Sequence, residues 1–264
     1  MGEDVYNLQI FLGYQHRGVE EAMVNAGGNI ARQIALAETC AGDTSAAAAI
    51  AFAELMERAF PSRHRAIDGE AARLRNILLE LERIAKAQEI TDASFAELLP
   101  KIRPGMTEKQ LQAELIYCLY KNGGEGLSFD PIVVSGPNTS LPHGVAGERV
   151  IQEGDFVTMD FGASYMGYCS DMTRTVAVGY ATEEMVKVYN TVLQAQLAGL
   201  AVSKAGVPGV EIDAAARKVI TDAGYGEYFG HGYGHSLGLE IPENPSPNSR
   251  NAEPMPAGSV ASAE

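Results

Sequence analysis

The chain has 264 residues, 46% of them hydrophobic, which is enough for one large domain or two small ones. Its formal net charge of −14 argues against nucleic acid and anionic membranes as partners, because both attract clustered lysine and arginine. The three cysteines are widely spaced and form no CxxC pair, which argues against a disulfide framework or a cysteine-only zinc site and favours a reduced cytoplasmic protein.

The N-terminal part of the chain is predicted to be mainly helical. Its first residues lack the basic flank and apolar core of a signal peptide, and no apolar run reaches transmembrane length, so we expect no membrane insertion. Residues 5–12 favour a strand, whereas the alanine-rich segment that stops at Pro61 favours a helix. Apolar residues at helical spacing from Leu74 onward predict a helix that continues to about Leu99.

The remaining elements alternate between helical and β-type sequence. Thr107 and Gln110 have the spacing of a capping box, and the helix they begin should end at residues 122–123. The strings "SFDPIVVSG" and "DFVTMDFG" predict strands. Helices are predicted again over about 183–203 and 210–223, followed by the glycine-rich stretch "FGHGYGHSLGLEI", which favours strand or loop.

Two segments of the chain resemble each other weakly. "KIRPGMTEKQLQAELIYCLYKNGG" and "KAGVPGVEIDAAARKVITDAGYG" share a lysine, a Pro-Gly turn, an amphipathic helix and a glycine stop. Any two turn–helix–turn units could look alike in this way. The other interpretation is an α/β domain with pseudo-twofold halves, and both stay open.

The string "DFVTMDFGASYMGYCSDMTRT", residues 155–175, predicts a hairpin with one aspartate in each arm, Asp160 and Asp171. A register that places them opposite each other centres the turn in "ASYMGY" and brings their Cβ atoms to about 4.5–5.5 Å. Carboxylates this close repel unless a proton or a cation lies between them, and a pair of divalent ions is the stronger solution. The alternative is two exposed aspartates on a solvent-facing hairpin.

Three of the five histidines, His143, His231 and His235, lie in the same half of the chain as this hairpin, each beside glycine. Glycine lets the backbone approach a ligand closely. The i,i+4 spacing of His231 and His235 would suit a zinc pair on a helix, but the surrounding glycines argue against a helical HExxH site. A structural role for each histidine remains the alternative.

From about residue 86 to 264 the chain resembles the catalytic domain of the pita-bread metallopeptidases, the group of Xaa-Pro aminopeptidase, prolidase and methionine aminopeptidase. Three strings in the right order carry the resemblance: "SFDPIVVSGPNTSLPHG", "VIQEGDFVTMDFGASYMGYCSDMTRTVAVG" and "HGYGHSLGLEI". The resemblance implies an α+β pita-bread domain over 86–264, incomplete at its C-terminal end, after a mainly helical segment over 1–85.

The resemblance also implies a site for two divalent metal ions. Its metal ligands would be Asp160, Asp171, His235 and Glu264, and His143 and His231 would contact the substrate. Carboxylates with one imidazole suit Mn²⁺ or Co²⁺ at least as well as Zn²⁺. The implied function is exopeptidase hydrolysis of Xaa-Pro peptides by a hydroxide that bridges the metals, with a peptide as partner and a homodimer left open.

Two departures from the family pattern predict impaired activity. Pro242 stands where the family usually has a histidine, and losing such a group commonly lowers the rate by about 10²–10³. The second glutamate ligand would come after Glu264, so one metal should lack a ligand and the sheet should have an unpaired edge. The alternative function is therefore a non-catalytic pita-bread domain that binds a peptide or another partner.

The first 85 residues resemble a different family, the large subunit of nickel–iron hydrogenases and its metal-free relatives in complex I-like assemblies. The strings are "LGYQHRGVEEAM", "ALAETCAGDTSAAAAIAFAELMERAF" and "LRNILLELERIA". Because Cys40 is the only cysteine in this segment, no nickel site is implied. The hypothesis is a chimeric chain joined within one helix near residue 85, and the alternative is a plain alanine-rich helical hairpin.

Overall fold

The computed structural model describes the backbone of residues 69–264 and the side chains of residues 77–264. The strand, helices and hydrogenase-like strings predicted before residue 69 lie outside the described residues and stay predictions. Backbone contacts divide the chain into Met1–Leu79 and Glu80–Glu264, and the second unit holds all strands of the described residues. Within 69–264, no helix combines the length and apolar character that crossing a membrane requires.

Helix α1 (Gly69–Leu98) runs without a break through the stretch where the two resemblances meet. Its predicted end near Leu99 is confirmed, because a short 3₁₀ helix, Leu99–Lys101, follows it directly. The predicted domain boundary between residues 85 and 86 therefore falls inside a continuous helix. The boundary itself stays a prediction.

Helix α2 (Glu108–Lys121) begins and ends as the sequence predicts. The Gln110 N–H donates to Thr107 Oγ1 at 3.2 Å, and the Thr107 N–H donates to Gln110 Oε1 at 3.0 Å, so the capping box is confirmed. The helix is followed by Gly123, whose φ of 102° is a left-handed conformation that glycine adopts without strain.

Helices α3 (Glu183–Val202) and α4 (Gly209–Asp222) lie within one residue of their predicted limits. The Thr182 hydroxyl caps α3 by accepting a hydrogen bond from the Met185 N–H. The two helices pack against each other, and Tyr233 from the glycine-rich stretch is buried in the apolar cluster that they share. This cluster therefore ties the glycine-rich stretch to the helices.

Within residues 69–264, six short strands form two antiparallel sheets. They are β1 (Gly126–Leu127), β2 (Ile132–Ser135), β3 (Phe156–Phe161), β4 (Ala163–Tyr165), β5 (Tyr168–Cys169) and β6 (Met172–Ala177). One sheet has the order β1–β4–β5 and the other has the order β2–β3–β6. Among the described residues β3 is the central strand of the second sheet, and β2 and β6 lie at its two edges. The edge left unpaired by a missing strand stays a prediction.

The predicted hairpin exists, but its predicted register is wrong by two residues. Strands β3 and β6 pair so that Asp160 faces Thr173 and not Asp171. The reason is the turn, Met166–Gly167, in which both residues have positive φ, 49° and 79°. A two-residue type I′ turn needs that conformation at both positions, and glycine favours the second. Asp171 therefore lies diagonally from Asp160, two residues before Thr173, which is the residue that pairs with Asp160.

The weak internal resemblance in the sequence corresponds to a repeated structure. The Gly105 N–H donates to the Ile151 carbonyl at 2.9 Å before α2, and the Gly206 N–H donates to the Met255 carbonyl at 2.8 Å before α4. Both glycines have positive φ, 93° and 88°, and both helices have 14 residues. Of the two interpretations left open, the structure supports pseudo-twofold halves.

The carboxylate of Glu108 ties the start of α2 to the end of β2. It is fully buried and accepts hydrogen bonds from the Ser135 N–H and Oγ, from Asn138 Nδ2 and from the Gly147 N–H, at 2.7 to 3.1 Å. Burial alone would raise the pKa of Glu108, but these donors hold it below its usual range. Because the donors flank the loop that carries His143, Glu108 fixes both ends of that loop.

We predict that Glu108→Gln lowers the free energy of unfolding by about 2–3 kcal/mol, since the new amide leaves at least one buried donor unpaired. Denaturant unfolding at pH 7 measures the loss. The control is Glu114→Gln on the same helix, whose side chain is 45% exposed and pairs with Lys101; it should cost no more than about 0.5 kcal/mol. Equal losses in the two variants would contradict the buried network.

The stabilisation by Glu108 should also depend on pH. Its pKa is lower in the folded than in the unfolded chain, so its contribution is complete above an ordinary glutamate value of about 4.3 and is lost as the pH falls below it. The stability difference between the parent and Glu108→Gln should therefore shrink as the pH falls from about 7 to about 3. A difference that stays constant over this range would rule out an ionised Glu108 as its source.

Candidate metal centre

Three ionisable side chains from separate parts of the chain meet at one place. Asp171 lies between β5 and β6, His235 lies in the glycine-rich stretch after α4, and Glu264 is the last residue of the chain. His235 Nε2 is 3.3 Å from Asp171 Oδ2 and 3.0 Å from Glu264 Oε1. One ligand atom of each residue lies within 4.8 Å of the other two, which would let a single ion contact all three.

Asp160 on β3 adds a third carboxylate to this group. Its Oδ1 atom is buried and has no hydrogen-bond partner among the described residues. Burial, followed by the negative charge of Asp171, raises the pKa of Asp160 to about 7. An unpartnered buried oxygen and a carboxylate that resists ionisation both indicate that this place favours additional positive charge.

The His235 imidazole presents Nε2 to the carboxylates. Its Nδ1 lies 3.1 Å from the Ser236 carbonyl oxygen, and because a carbonyl only accepts, Nδ1 carries a hydrogen. Hydrogen bonds to Asp171 and Glu264 raise the pKa of His235 to about 10, so the ring holds a second proton at neutral pH. Burial alone would raise the pKa of Glu264, but hydrogen bonds from His235 and Ser262 hold it below its usual range.

The two aspartates are held by a close crossing of the chain at Gly162. A Cβ atom at this position would lie 1.8 Å from the Ser170 carbonyl oxygen, so only glycine fits. The Ser170 hydroxyl is 2.7 Å from the Thr91 hydroxyl on α1, and both accept from the Ala163 N–H, at 3.0 and 3.1 Å. These buried contacts fix the residue before Asp171 against α1.

His235 and Glu264 are aligned by a short pairing between the glycine-rich stretch and residues 262–264. The Ser262 N–H donates to the His235 carbonyl at 2.7 Å, and the Glu264 N–H donates to the Tyr233 carbonyl at 2.9 Å. The Ser262 hydroxyl accepts from the His235 N–H at 3.1 Å and donates to Glu264 Oε1 at 2.7 Å. One serine therefore sets both the backbone of the histidine and the carboxylate of the glutamate.

The two histidines predicted to contact substrate have different surroundings. His231 is exposed and packs edge-on against Phe229, with ring centroids 4.8 Å apart. After burial, the hydrogen bonds described above and the charge of His235, a smaller electrostatic interaction with His231 also lowers the pKa of Glu264. His143 is exposed in its loop and makes no hydrogen bond to another described residue. No hydrogen bond therefore joins His143 to the cluster, and its contact with substrate stays a prediction.

Two charged residues near the cluster were not predicted from the sequence. Asp213 and Arg217 on α4 form an ion pair that contacts the backbone of the glycine-rich stretch. Their i,i+4 spacing on a predicted helix could have indicated from the sequence that the two side chains contact each other. Nothing in that spacing indicates what else the pair touches.

Comparison with known proteins identifies the family. The model of Metallopeptidase family M24 matches residues 82–264, which is well over half of the chain. The chain belongs to metallopeptidase family M24. This M24 chain is 43% identical over 185 residues to the uncharacterized peptidase YqhT of Bacillus subtilis, and the match covers 70% of this chain and 52% of that relative.

Solved structures of similar proteins confirm the α+β pita-bread fold of the M24 chain. The Xaa-Pro dipeptidase from Bacillus anthracis aligns with a TM-score of 0.68 and 49% identity, over 69% of this chain and 51% of its own. The X-Pro aminopeptidase from Thermotoga maritima MSB8 aligns with a TM-score of 0.69 and 42% identity, over 80% and 60% of the two chains. The M24 chain spans about half the length of the curated relatives it matches.

We predict that Gly162→Ala lowers the free energy of unfolding by about 1–3 kcal/mol, because its methyl group must displace the Ser170 carbonyl. Denaturant unfolding measures the change. Gly230→Ala is the matched control, since a Cβ atom there meets nothing within 4 Å, and it should leave stability almost unchanged. Similar small effects of both substitutions would contradict a close crossing at Gly162.

Proposed function

We propose that this M24 domain binds divalent metal ions, with Asp160, Asp171, His235 and Glu264 as ligands. The observation that carries the proposal is the buried Asp160 Oδ1, which has no hydrogen-bond partner among the described residues and lies beside a second carboxylate. Folded proteins seldom keep such an arrangement unless a cation or a proton neutralises it.

The donor chemistry favours Mn²⁺ or Co²⁺, with Zn²⁺ as the third candidate. Three carboxylates and one imidazole are hard or intermediate ligands, and no thiolate is among them. The hydrogen bond from His235 Nδ1 to the Ser236 carbonyl is the contact that commonly orients a metal-binding histidine, and it leaves Nε2 for the ion. Three carboxylates would offer six oxygen atoms, enough to share between two ions, so we propose two ions.

The proposed reaction is the hydrolysis of Xaa-Pro peptides by an exopeptidase. Two divalent ions, when bound, would polarise the peptide carbonyl and lower the pKa of a water molecule that attacks it. We propose that His231, an exposed residue four positions before His235, contacts the peptide, and Glu108 holds the ends of the loop that carries His143. The names of the Bacillus anthracis dipeptidase and the Thermotoga maritima aminopeptidase support the substrate class. Location in the cytoplasm and a homodimer stay predictions.

A second candidate function is binding of a peptide or partner without hydrolysis. Pro242 favours it, because this exposed residue after the glycine-rich stretch has no side-chain group that could donate or accept a proton. If that position normally assists the reaction, we expect a rate about 10²–10³ lower than that of a histidine-bearing relative.

Metal retention and hydrolysis together test both candidates. Protein loaded with Mn²⁺ and desalted should retain stoichiometric metal by elemental analysis and should cleave an Xaa-Pro dipeptide slowly. Asp171→Asn should lose metal and cleavage, whereas the control Asp222→Asn, whose carboxylate is 63% exposed on α4, should retain both.

Two results would decide against one or both candidates. Metal retention without any cleavage would support the binding domain over the enzyme. A parent protein that retains no ion after loading with millimolar Mn²⁺ would contradict the metal site itself.

A further inference from the structure

An ion pair between the buried Asp213 and the partly exposed Arg217 lies on the side of α4 that faces the glycine-rich stretch. Arg217 Nε donates to Asp213 Oδ2 at 2.8 Å, and Arg217 Nη2 donates to Asp213 Oδ1 at 3.1 Å, a two-point contact. The Asp213 side chain is only 2% exposed. Because desolvation offsets much of the attraction in such a pair, its contribution to overall stability is a weak explanation for its presence.

Two further donors of Arg217 and one acceptor of Asp213 contact the backbone of the glycine-rich stretch. Arg217 Nη1 donates to the Phe229 carbonyl at 2.9 Å, and Nη2 donates to the His231 carbonyl at 2.8 Å. Asp213 Oδ1 accepts the Tyr233 N–H at 3.0 Å. The ion pair therefore binds one backbone group on each of three alternate residues, as a neighbouring strand would.

The glycine-rich stretch needs such support because its own residues restrict the backbone little. Residues 229–235 contain three glycines, and the structure assigns them neither helix nor strand. Glycine has the largest backbone freedom of any residue, so the cost of ordering this segment is high. The side chains of Asp213 and Arg217 replace the hydrogen-bond ladder that a sheet partner would otherwise provide.

Tyr233 connects the ion pair to the proposed metal ligands His235 and Glu264. Its N–H binds Asp213, while its carbonyl accepts the Glu264 N–H at 2.9 Å. Its side chain is 1% exposed, and its hydroxyl donates to the Gln196 carbonyl at 2.8 Å. Since His235 follows two residues later, any displacement of Tyr233 would move the backbones of His235 and Glu264 together.

We propose that Asp213 and Arg217 are positioning residues for His235 and Glu264, a role that rests on the metal site of the proposed function. The pair touches neither ligand side chain and acts through the backbone of residues 229–233. Arginine suits the position because its planar group serves one carboxylate and two carbonyls at once. The compact ammonium group of lysine lacks the planar set of N–H donors that these three contacts require.

The first test measures metal binding in Asp213→Asn and Arg217→Lys. The dissociation constant for Co²⁺, from calorimetric titration, should rise about 10–100-fold in each variant, and the visible absorption bands of bound Co²⁺ should change as the ligands shift. The control is Asp222→Asn, which breaks the exposed ion pair with Lys218 on the same helix at the same i,i+4 spacing. Its Co²⁺ affinity and spectrum should match the parent.

The second test needs no metal. Hydrogen exchange of the metal-free proteins should be faster in peptides from 229–235 and 262–264 of both variants, and unchanged in peptides from α1 and β3. If the parent binds no Co²⁺, the metal proposal fails, and faster exchange confined to these peptides still supports positioning. Parent-like exchange and Co²⁺ affinity in both variants would overturn the proposal. So would loss of far-ultraviolet circular dichroism in both, because the pair would then serve folding as a whole.

Discussion

Mutual repulsion among Asp160, Asp171 and Glu264 is the constraint on which the arrangement of the site depends. Two unit charges about 4 Å apart repel by about 4 kcal/mol at the effective dielectric constant of a protein surface. The structure opposes this repulsion with contacts that involve no charge, including the chain crossing at Gly162 and the backbone pairing of Ser262. In the absence of metal, hydrogen bonds to Asp171 and Glu264 raise the pKa of His235 to about 10, and the protonated ring then offsets part of this repulsion.

In each half of the domain, a buried carboxylate on a helix accepts hydrogen bonds from an irregular segment near the site. In the first half, the buried carboxylate of Glu108 on α2 accepts from backbone and side-chain donors at both ends of the His143 loop. In the second half, the buried carboxylate of Asp213 on α4 binds the Tyr233 N–H and recruits Arg217 to reach two further carbonyls. A helix that carries a buried anion thus stabilises an irregular segment in each half.

Local rules predicted most of the secondary structure that residues 69–264 form, and non-local contacts account for what those rules missed. The capping box of α2 and the glycine after it depend on residues a few positions apart, so sequence reveals them directly. The hairpin register failed because it assumed that Asp160 and Asp171 must face each other, whereas the turn chemistry of Met166–Gly167 sets the pairing.

The site itself was predictable only in part. The spacing of the aspartates and the glycine-flanked histidines left a metal site and a structural role both open, and the family resemblance supplied the ligand set. The fold brings three of those four residues, Asp171, His235 and Glu264, within 4.8 Å. The role of Asp213 and Arg217 could not be predicted, because it depends on where a glycine-rich segment passes α4. The unpartnered oxygen of Asp160 is likewise a property of burial, which no pattern in the sequence specifies.

Anomalous diffraction from crystals grown with Mn²⁺ tests the central claim most directly, because it locates the ion independently of activity. The account predicts anomalous density in contact with Asp171, His235 and Glu264, and with the Oδ1 atom of Asp160. Density elsewhere on the protein, with this cluster free of metal and His235 still bonded to both carboxylates, would contradict it.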